Sequence, residues 1–358
     1  MSGTKSIRKK YSTALEEDFP ETLKLTIGED EIIYRKYMSL RYGENPHQPA
    51  AFYSPTEGHL SIGDLKLLKS GKSGLSMTNV EDTNNSLRIV SYFTKPACAV
   101  MKHVNPSGVA ARNNDEPLID IYKKARDCDA LAAFGSVVGF NCMVDVATAE
   151  EIMNSYVEAV VAPSYEDGCM EYFEEKKNIR IMQANGLDKT SKYIGEPMWP
   201  LDISVQMDGS LILQAPMLTK LRGVNDLRVV TERKPTDQEL SDMLFSWYVC
   251  MNVRSNGVVL GKENATIGIG TGQQDRVTAV RLALEKADMR GHKAEIPGSV
   301  LASDGFFPFR DSIDLLAEYG VTACVQPGGS VKDNEVIEAC NEHGISMTFT
   351  DERCFRHF

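Results

Sequence analysis

Lys102 and His103 stand side by side where an apolar run, Ala97–Val104, gives way to Asn105-Pro106-Ser107-Gly108. A strand that ends in a Gly/Pro-containing loop presents its last residues at a sheet edge, where the active sites of α/β proteins form. Lys102 offers a fixed positive charge and His103 a base that titrates near neutrality. A surface lysine beside a core histidine gives the same dipeptide, so the pair alone does not decide. A second segment, Arg41-Tyr42-Gly43-Glu44-Asn45-Pro46-His47-Gln48, is too polar for a strand or helix. Its composition suits either a polar ligand contact or an ordinary surface loop. The third, Gly268-Ile269-Gly270-Thr271-Gly272-Gln273-Gln274-Asp275-Arg276, is a glycine-rich turn between a strand and a helix. Backbone N–H groups at a helix N-terminus attract anions, but this turn matches neither the dinucleotide fingerprint nor the Walker motif. The fourth, Ser303-Asp304-Gly305-Phe306-Phe307-Pro308-Phe309-Arg310-Asp311, sets three phenylalanines in a loop. Such rings either pin the loop into the core or meet a flat ligand. The fifth is the basic, aromatic ending Arg353-Cys354-Phe355-Arg356-His357-Phe358, which predicts a terminus docked on the protein instead of frayed.

The elements that must position these residues alternate between short apolar strands and helical patterns, which predicts an α/β layered fold. Strands are expected at Ala97–Val104, Ala130–Phe140, Ala159–Ala162 and Ile179–Met182. Helices are expected at Leu118–Cys128, Ala147–Tyr156 and Met170–Lys176. In the second half Thr236–Val253 is the clearest helix, with Thr236 as N-cap and Glu239 completing a capping box. Gly257–Gly270 predicts a hairpin turning at Lys262-Glu263-Asn264. Helices follow at Gln273–Asp288, Arg310–Tyr319 and Asn334–His343, with Gly320 and Gly344 at the C-cap positions. Val160-Val161-Ala162-Pro163, a helix and Asn178–Met182 resemble Cys324-Val325-Gln326-Pro327, a helix and Gly344–Thr348. That weak repeat suggests two similar halves joined somewhere in the Pro/Gly-richer stretch 186–236.

Composition narrows the classes of function. A chain of 358 residues can hold two domains, and 42% hydrophobic with 25% charged residues is the balance of a globular protein. A net charge of −11 leaves a nucleic acid or an anionic membrane without a complementary surface. No apolar run approaches the ~20 residues that span a bilayer. Lys5, Arg8, Lys9 and Lys10 are not followed by the apolar core of a signal peptide. The eight cysteines stand singly in apolar or helical stretches, which predicts reduced thiols and a cytoplasmic protein. Neither a zinc deaminase pattern nor a Gly-x-Ser-x-Gly elbow is present, and the six histidines, His59 among them, form no i, i+4 pair, so no metal is implied.

Taken together and in order, RYGENPHQ, KHVNPSG, AFGS, VVAPSYE, RSNGVVL, GIGTGQQDR, SDGFFPFRD and the RxFxH ending resemble the transformylase half of the bifunctional AICAR transformylase/IMP cyclohydrolase family, over Tyr37 to Phe358. The resemblance implies two cytidine-deaminase-like α/β units in tandem without zinc, here placed at 1–220 (with 1–36 as a lead-in) and 221–358. The 36 residues before Tyr37 are too few for a second enzyme domain, so a form without the cyclohydrolase is expected. It also implies a homodimer with active sites at the subunit interface, AICAR nucleotide as substrate and 10-formyltetrahydrofolate as co-substrate. Lys102 and His103 match the family's catalytic pair, joined by Asn256. Arg41, Tyr42 and Gly135 match the nucleotide pocket, and Asn256 and Arg276 match polar groups expected from the partner subunit. Phe306 or Phe307 matches an aromatic lining the site, and Arg353, Phe355 and His357 match the C-terminal ligand contacts. Where the family commonly carries Asp followed by Gly ahead of the apolar-Ala-Pro segment, this chain has Glu158 followed by Ala159. A transferase that cyclises the formylated product or uses another donor, and a non-catalytic nucleotide-binding module, are the alternatives that remain.

Overall fold

The computed structural model describes residues 16–57, 62–197 and 201–357, so the N-terminal lysines and arginine, His59 and Phe358 lie outside the described residues. The chain divides into two compact units, one formed by residues up to 107, 114–126 and 130–188, the other by 108–113, 127–129 and residues from 189 on.

The first unit opens with an antiparallel sheet of β1 (Thr22–Ile27), β2 (Asp30–Leu40) and β3 (Ala50–Pro55). Its main sheet is built from β4 (Lys66–Lys69), β5 (Ala97–Lys102), the start of β6 (Asn105–Ala111), β7 (Ser136–Phe140), β8 (Val157–Ala162) and β9 (Arg180–Gln183), in the order β6-β5-β7-β8-β9-β4. β5 runs antiparallel to β7, whereas β7, β8 and β9 are parallel. The helices are α1 (Met77–Val90), α2 (Leu118–Asp127), α3 (Val146–Met153) and α4 (Cys169–Glu174). Parallel strands buried on both faces read as continuous apolar runs, and β5, β7 and β8 are buried nearly throughout.

The second unit carries the hairpin β10 (Asp202–Val205) and β11 (Leu211–Gln214), and then β12 (Arg228–Val229), β13 (Val258–Lys262), β14 (Ala265–Gly270), β15 (Val300–Ser303), β16 (Ala323–Gln326) and β17 (Ser346–Phe349). The order of its main sheet is β12-β17-β16-β15-β13-β14. Its helices are α5 (Asp237–Cys250), α6 (Arg276–Met289), α7 (Asp311–Glu318) and α8 (Asp333–His343). Helix, hairpin, helix, strand, helix, strand, helix, strand is the succession in both units, and the strand orders β6-β5-β7-β8-β9 and β14-β13-β15-β16-β17 correspond one to one. The two stretches singled out as a repeat are the parallel strand–helix–strand units β8-α4-β9 and β16-α8-β17.

The expected helices and strands of the second half are present within three residues of their expected ends. Thr236 caps α5 and the Thr236–Glu239 capping box is closed in both directions. Glu263 and Asn264 turn the β13–β14 hairpin at positive φ, and Gly320 and Gly344 stand at positive φ after α7 and α8. In the first half, Ala130–Phe140 is not extended throughout. Only Ser136–Phe140 forms a strand, and 130–135 is a run of turns with Leu131 and Phe134 exposed. Gly135, at φ +73, breaks the strand geometry there, so apolar character in 130–135 reflects exposed side chains and not a buried strand. Not expected from sequence were α1, the sheet β1-β2-β3, β4, β12, β15, and β10–β11 within the stretch read as a connection. Asn105-Pro106-Ser107-Gly108, read as a loop, opens β6, so the chain turns at His103-Val104 instead.

A candidate active site in two clusters

The first unit brings together Arg41, Tyr42, Lys102, His103, Gly135 and Glu158. β5 ends at Lys102, and the chain reverses through His103 (φ +54) and Val104 (φ +63) into β6. A two-residue hairpin with both central residues at positive φ ordinarily carries Asn-Gly. A β-branched residue in that region is an outlier, costing on the order of 1–3 kcal/mol. The turn is held by Asp82 of α1, whose carboxylate accepts the Val104 N–H at 2.6 Å, with the His103 amide lying against the same carboxylate and favouring its charged form. Asp82 is 6% exposed. Burial pushes its carboxyl up to about 6, against the pull of those two amides and of Lys102.

Lys102 points the other way. Its Nζ donates to the carbonyls of Phe134 (2.8 Å) and Gly135 (3.0 Å). Gly135 in turn donates its N–H to Tyr156 O at 2.7 Å. A Cβ on Gly135 would lie 2.9 Å from Lys102 Nζ, so the ammonium fits only against a glycine. Phe134, 66% exposed, leans on Tyr156 with ring centroids 4.9 Å apart. Arg41 and Tyr42 are fixed to the loop that leads into α1: Arg41 N–H donates to Leu75 O, its Nη1 to Ser73 Oγ, and Met77 N–H to Tyr42 O. The Arg41 guanidinium also donates to Tyr42 Oη at 2.6 Å and lies 4.4 Å from that ring's centre. Glu158 accepts from Asn79 Nδ2 at 3.1 Å, and Asn79 Oδ1 caps the Ser76 N–H at the start of α1. Nearby, buried Arg180 donates to Gly74 O, and its pKa is lowered by burial against the opposing pull of Glu158.

The second unit gathers Asn256, Arg276, Phe306, Arg353, Phe355 and His357. Arg276 opens α6 and is buried; it bonds Asp304 Oδ1 (2.5 Å), Asn256 Oδ1 (2.6 Å) and Gly257 O (3.3 Å). Asp304, with no exposure, also accepts the Gly257 N–H at 2.8 Å. Asn256 Nδ2 donates to Gln273 O at 2.9 Å. The C-terminal segment is docked: Ser255 N–H donates to Arg356 O, Cys354 N–H to Asp304 O, and Arg356 to Asn252 Oδ1. Phe355 lies on the backbone of Gly305, where a Cβ would come within 2.5 Å of its ring. Arg353 stands 4.9 Å and Arg276 6.0 Å from the Phe355 ring centre, and the His357 ring 6.2 Å away. Arg353, Phe355 and His357 are exposed. Of the paired phenylalanines, Phe307 is fully buried in the core and Phe306 is 44% exposed, so Phe306 is the ring open to a ligand.

The glycine-rich turn before α6 serves packing. A Cβ at Gly268 or Gly270 would lie 2.3 Å from Ala283 O or 2.0 Å from Ala279 O, so both glycines let the helix sit directly on β14. Asp275 caps α6 by accepting the Thr278 N–H, which places a carboxylate where an anion would otherwise bind. Sequence reasoning missed Asn79, Asp82, Tyr156, Arg180 and Asp304. A signal for two of them exists: Asn79, Asp82, Thr83 and Ser86 form a polar stripe at helical spacing, and all four are buried. Among the described residues no group of His, Cys, Asp and Glu is arranged to hold a metal, and no helix is long and apolar enough to cross a membrane. The eight thiols are free, and all but Cys142 are buried.

This is a mixed α/β protein with a polar cluster in each of its two units. The model of the AICARFT/IMPCHase bienzyme family matches residues 5–286, and the chain belongs to that family. It is 43% identical over 346 residues to the bifunctional purine biosynthesis protein PurH of Magnetococcus marinus, covering 95% of this chain and 62% of that protein. The proteins of the same name from Persephonella marina and Acetivibrio thermocellus are 42% and 41% identical, each across 96% of this chain. The chain spans 62% of the length of each of these relatives.

Proposed function

We propose that this chain is a phosphoribosylaminoimidazolecarboxamide formyltransferase, moving the formyl group of 10-formyltetrahydrofolate to AICAR in purine biosynthesis. The observation that carries the reading is the Lys102–His103 pair, set on a pinned turn with the ammonium held by two carbonyls, in a chain of the AICARFT/IMPCHase family. The amine of an aminoimidazole carboxamide is a poor nucleophile, because its lone pair is delocalised into the ring. Its attack on the formyl carbon forms a C–N bond, a tetrahedral oxyanion and a positively charged nitrogen. His103 accepts the proton from that nitrogen. Lys102 stabilises the oxyanion, a role typically worth ~10²–10³ in rate, and the intermediate collapses as the bond to the folate N10 breaks. The departing N10 takes up a proton, which leaves tetrahydrofolate and the formamido nucleotide.

Arg41 and Arg353 are the cations assigned to the nucleotide phosphate, since the guanidinium fork suits phosphate oxygens. Tyr42, Gly135 and Glu158 hold the nucleotide, Phe306 and Phe355 supply flat apolar faces, and His357, Asn256 and Arg276 complete the polar wall. The wider reading is of two cytidine-deaminase-like units without zinc, at 1–220 and 221–358, supported by the matching succession of elements. A homodimer in which Asn256 and Arg276 complete the partner's site, a cytoplasmic location, and small-molecule partners in place of nucleic acid or membrane belong to the same reading. The acidic net charge and free cysteines favour it. Mass spectrometry of the products from AICAR and 10-formyltetrahydrofolate tests the proposal: the formylated nucleotide is expected. Unchanged AICAR removes the reading, and IMP in its place points to the cyclising alternative.

A further inference from the structure

The turn that carries His103 contains neither glycine nor asparagine, yet both of its central residues are left-handed. Histidine tolerates positive φ, but the β-branched Val104 does not, so its conformation must be imposed from outside the turn. The group that imposes it is buried beneath. We propose that Asp82 is a positioning residue for His103: its carboxylate accepts the Val104 N–H, pins the turn, and so fixes where the imidazole stands relative to the Lys102 ammonium. This inference rests on the formyltransferase reading and adds to it a residue that touches no substrate.

Three observations carry it. The Val104 N–H to Asp82 Oδ1 bond is 2.6 Å and ties the turn directly to a buried side chain. α1, which carries Asp82, is fixed at its start by the Ser76–Asn79 capping box and by the Asn79 bond to Glu158. The carboxylate is therefore a rigid anchor and not a floating side chain. A buried position on a helix packed against β5 and β7 ordinarily takes an apolar residue. Here burial and Glu158 both disfavour the ionised carboxyl, and only the two amides and Lys102 support it. If Asp82 only stabilised the hairpin, an uncharged side chain of the same shape would serve almost as well. For catalysis the turn must be held in one geometry, and misplacing a catalytic group by about 1 Å costs about 10²-fold in rate.

The test is steady-state kinetics with AICAR and 10-formyltetrahydrofolate on the parent, Asp82→Asn and Asp82→Asn/Val104→Gly, alongside spectra of the ¹⁵N-valine-labelled proteins. Asp82→Asn is expected to lower kcat by about 10²-fold with both KM values little changed. Glycine adopts positive φ without strain, so the double variant is expected to regain about tenfold over Asp82→Asn. The Val104 amide proton, downfield in the parent, is expected to move upfield in Asp82→Asn. Retained kcat in Asp82→Asn, a loss confined to KM, or no recovery on adding Val104→Gly overturns the proposal. An inactive parent instead removes the formyltransferase reading, and the amide shift then tests the anchoring alone: an unmoved Val104 resonance overturns it. Should Asp82→Asn fail to fold, Val104→Pro deletes the donor and locks φ near −65°, and kcat retained in that variant likewise overturns the proposal.

Discussion

Gly135→Ala separates function from stability more sharply than any other single substitution in the first cluster. Gly135 sits at φ +73, and the added methyl would lie 2.9 Å from Lys102 Nζ and 3.4 Å from Tyr156 Cε1. An L-residue in this region costs on the order of 1–2 kcal/mol. The close contact is with the far end of a flexible side chain, so the clash is relieved by moving the ammonium. That movement lengthens or breaks its bonds to Phe134 O and Gly135 O and shifts the charge by several tenths of an ångström. Stability should therefore fall by about 1–2 kcal/mol, a few degrees in Tm for a protein of this size. The rate should fall by about tenfold, because the displaced group is the one assigned to the oxyanion and the shift is smaller than the ~1 Å misplacement that costs about 10². Differential scanning fluorimetry read beside initial rates of tetrahydrofolate formation gives both numbers. A folded Gly135→Ala protein with kcat within about twofold of the parent would refute the assignment of Lys102, since the methyl must displace the ammonium from its two carbonyls.

Other expectations follow from the same geometry. Arg276→Ala leaves the fully buried Asp304 without its partner and should cost about 3–5 kcal/mol in urea unfolding, with a loss under about 1 kcal/mol contradicting the burial of that pair. Asp82 holds its proton up to about pH 6 when folded against an ordinary 3.8, because burial disfavours the carboxylate. The folded state thus binds this proton more tightly, and the stability it contributes is full below about pH 4 and lost as pH rises through about 6. A shift of that size is worth about 3 kcal/mol, so Asp82→Asn should gain roughly that much relative to the parent between about pH 4 and 7; parallel pH–stability curves would contradict it. Phe355→Ala removes the ring that lies over Gly305 between Arg276 and Arg353, and should raise the KM for the nucleotide several-fold while leaving Tm nearly unchanged. An unchanged KM would take the C-terminal segment out of the site.

The parts of the fold that were legible in the sequence are those decided locally. Thr236 and Glu239 cap α5 through their own side chains, whereas the Glu263-Asn264 turn is held from a distance by buried Asp242 of α5, which accepts both of its amide N–H groups. The strand–helix–strand repeat is visible because buried parallel strands must be apolar on both faces. The rest is decided by partners far away in the chain. α1 is rich in Asn, Thr and Ser, and its few buried apolar residues are accompanied by a buried polar side satisfied by its own carbonyls, by Val104 and by Glu158. Leu131 and Phe134 look like strand interior but are exposed; the Phe134 and Gly135 carbonyls accept from the Lys102 ammonium, and the Phe134 N–H closes a turn onto Leu131 O. At the site, residue types and order pointed to Lys102, His103, Arg41 and the C-terminal contacts. Asp82 and Asp304 were hidden, because a single aspartate announces nothing until the amide or guanidinium it serves is known. The glycines of the Gly268–Gly272 turn show the reverse: a pattern suggestive of anion binding belongs to a helix resting on a strand.

The central claim is that Lys102 and His103 carry a formyl transfer from folate to an aminoimidazole nucleotide. The absorbance change on mixing purified protein with AICAR and 10-formyltetrahydrofolate, run beside His103→Ala, tests it most directly. The account predicts steady formation of tetrahydrofolate by the parent and its loss in the variant. Turnover that survives in His103→Ala, or a folded parent that produces none, would contradict it.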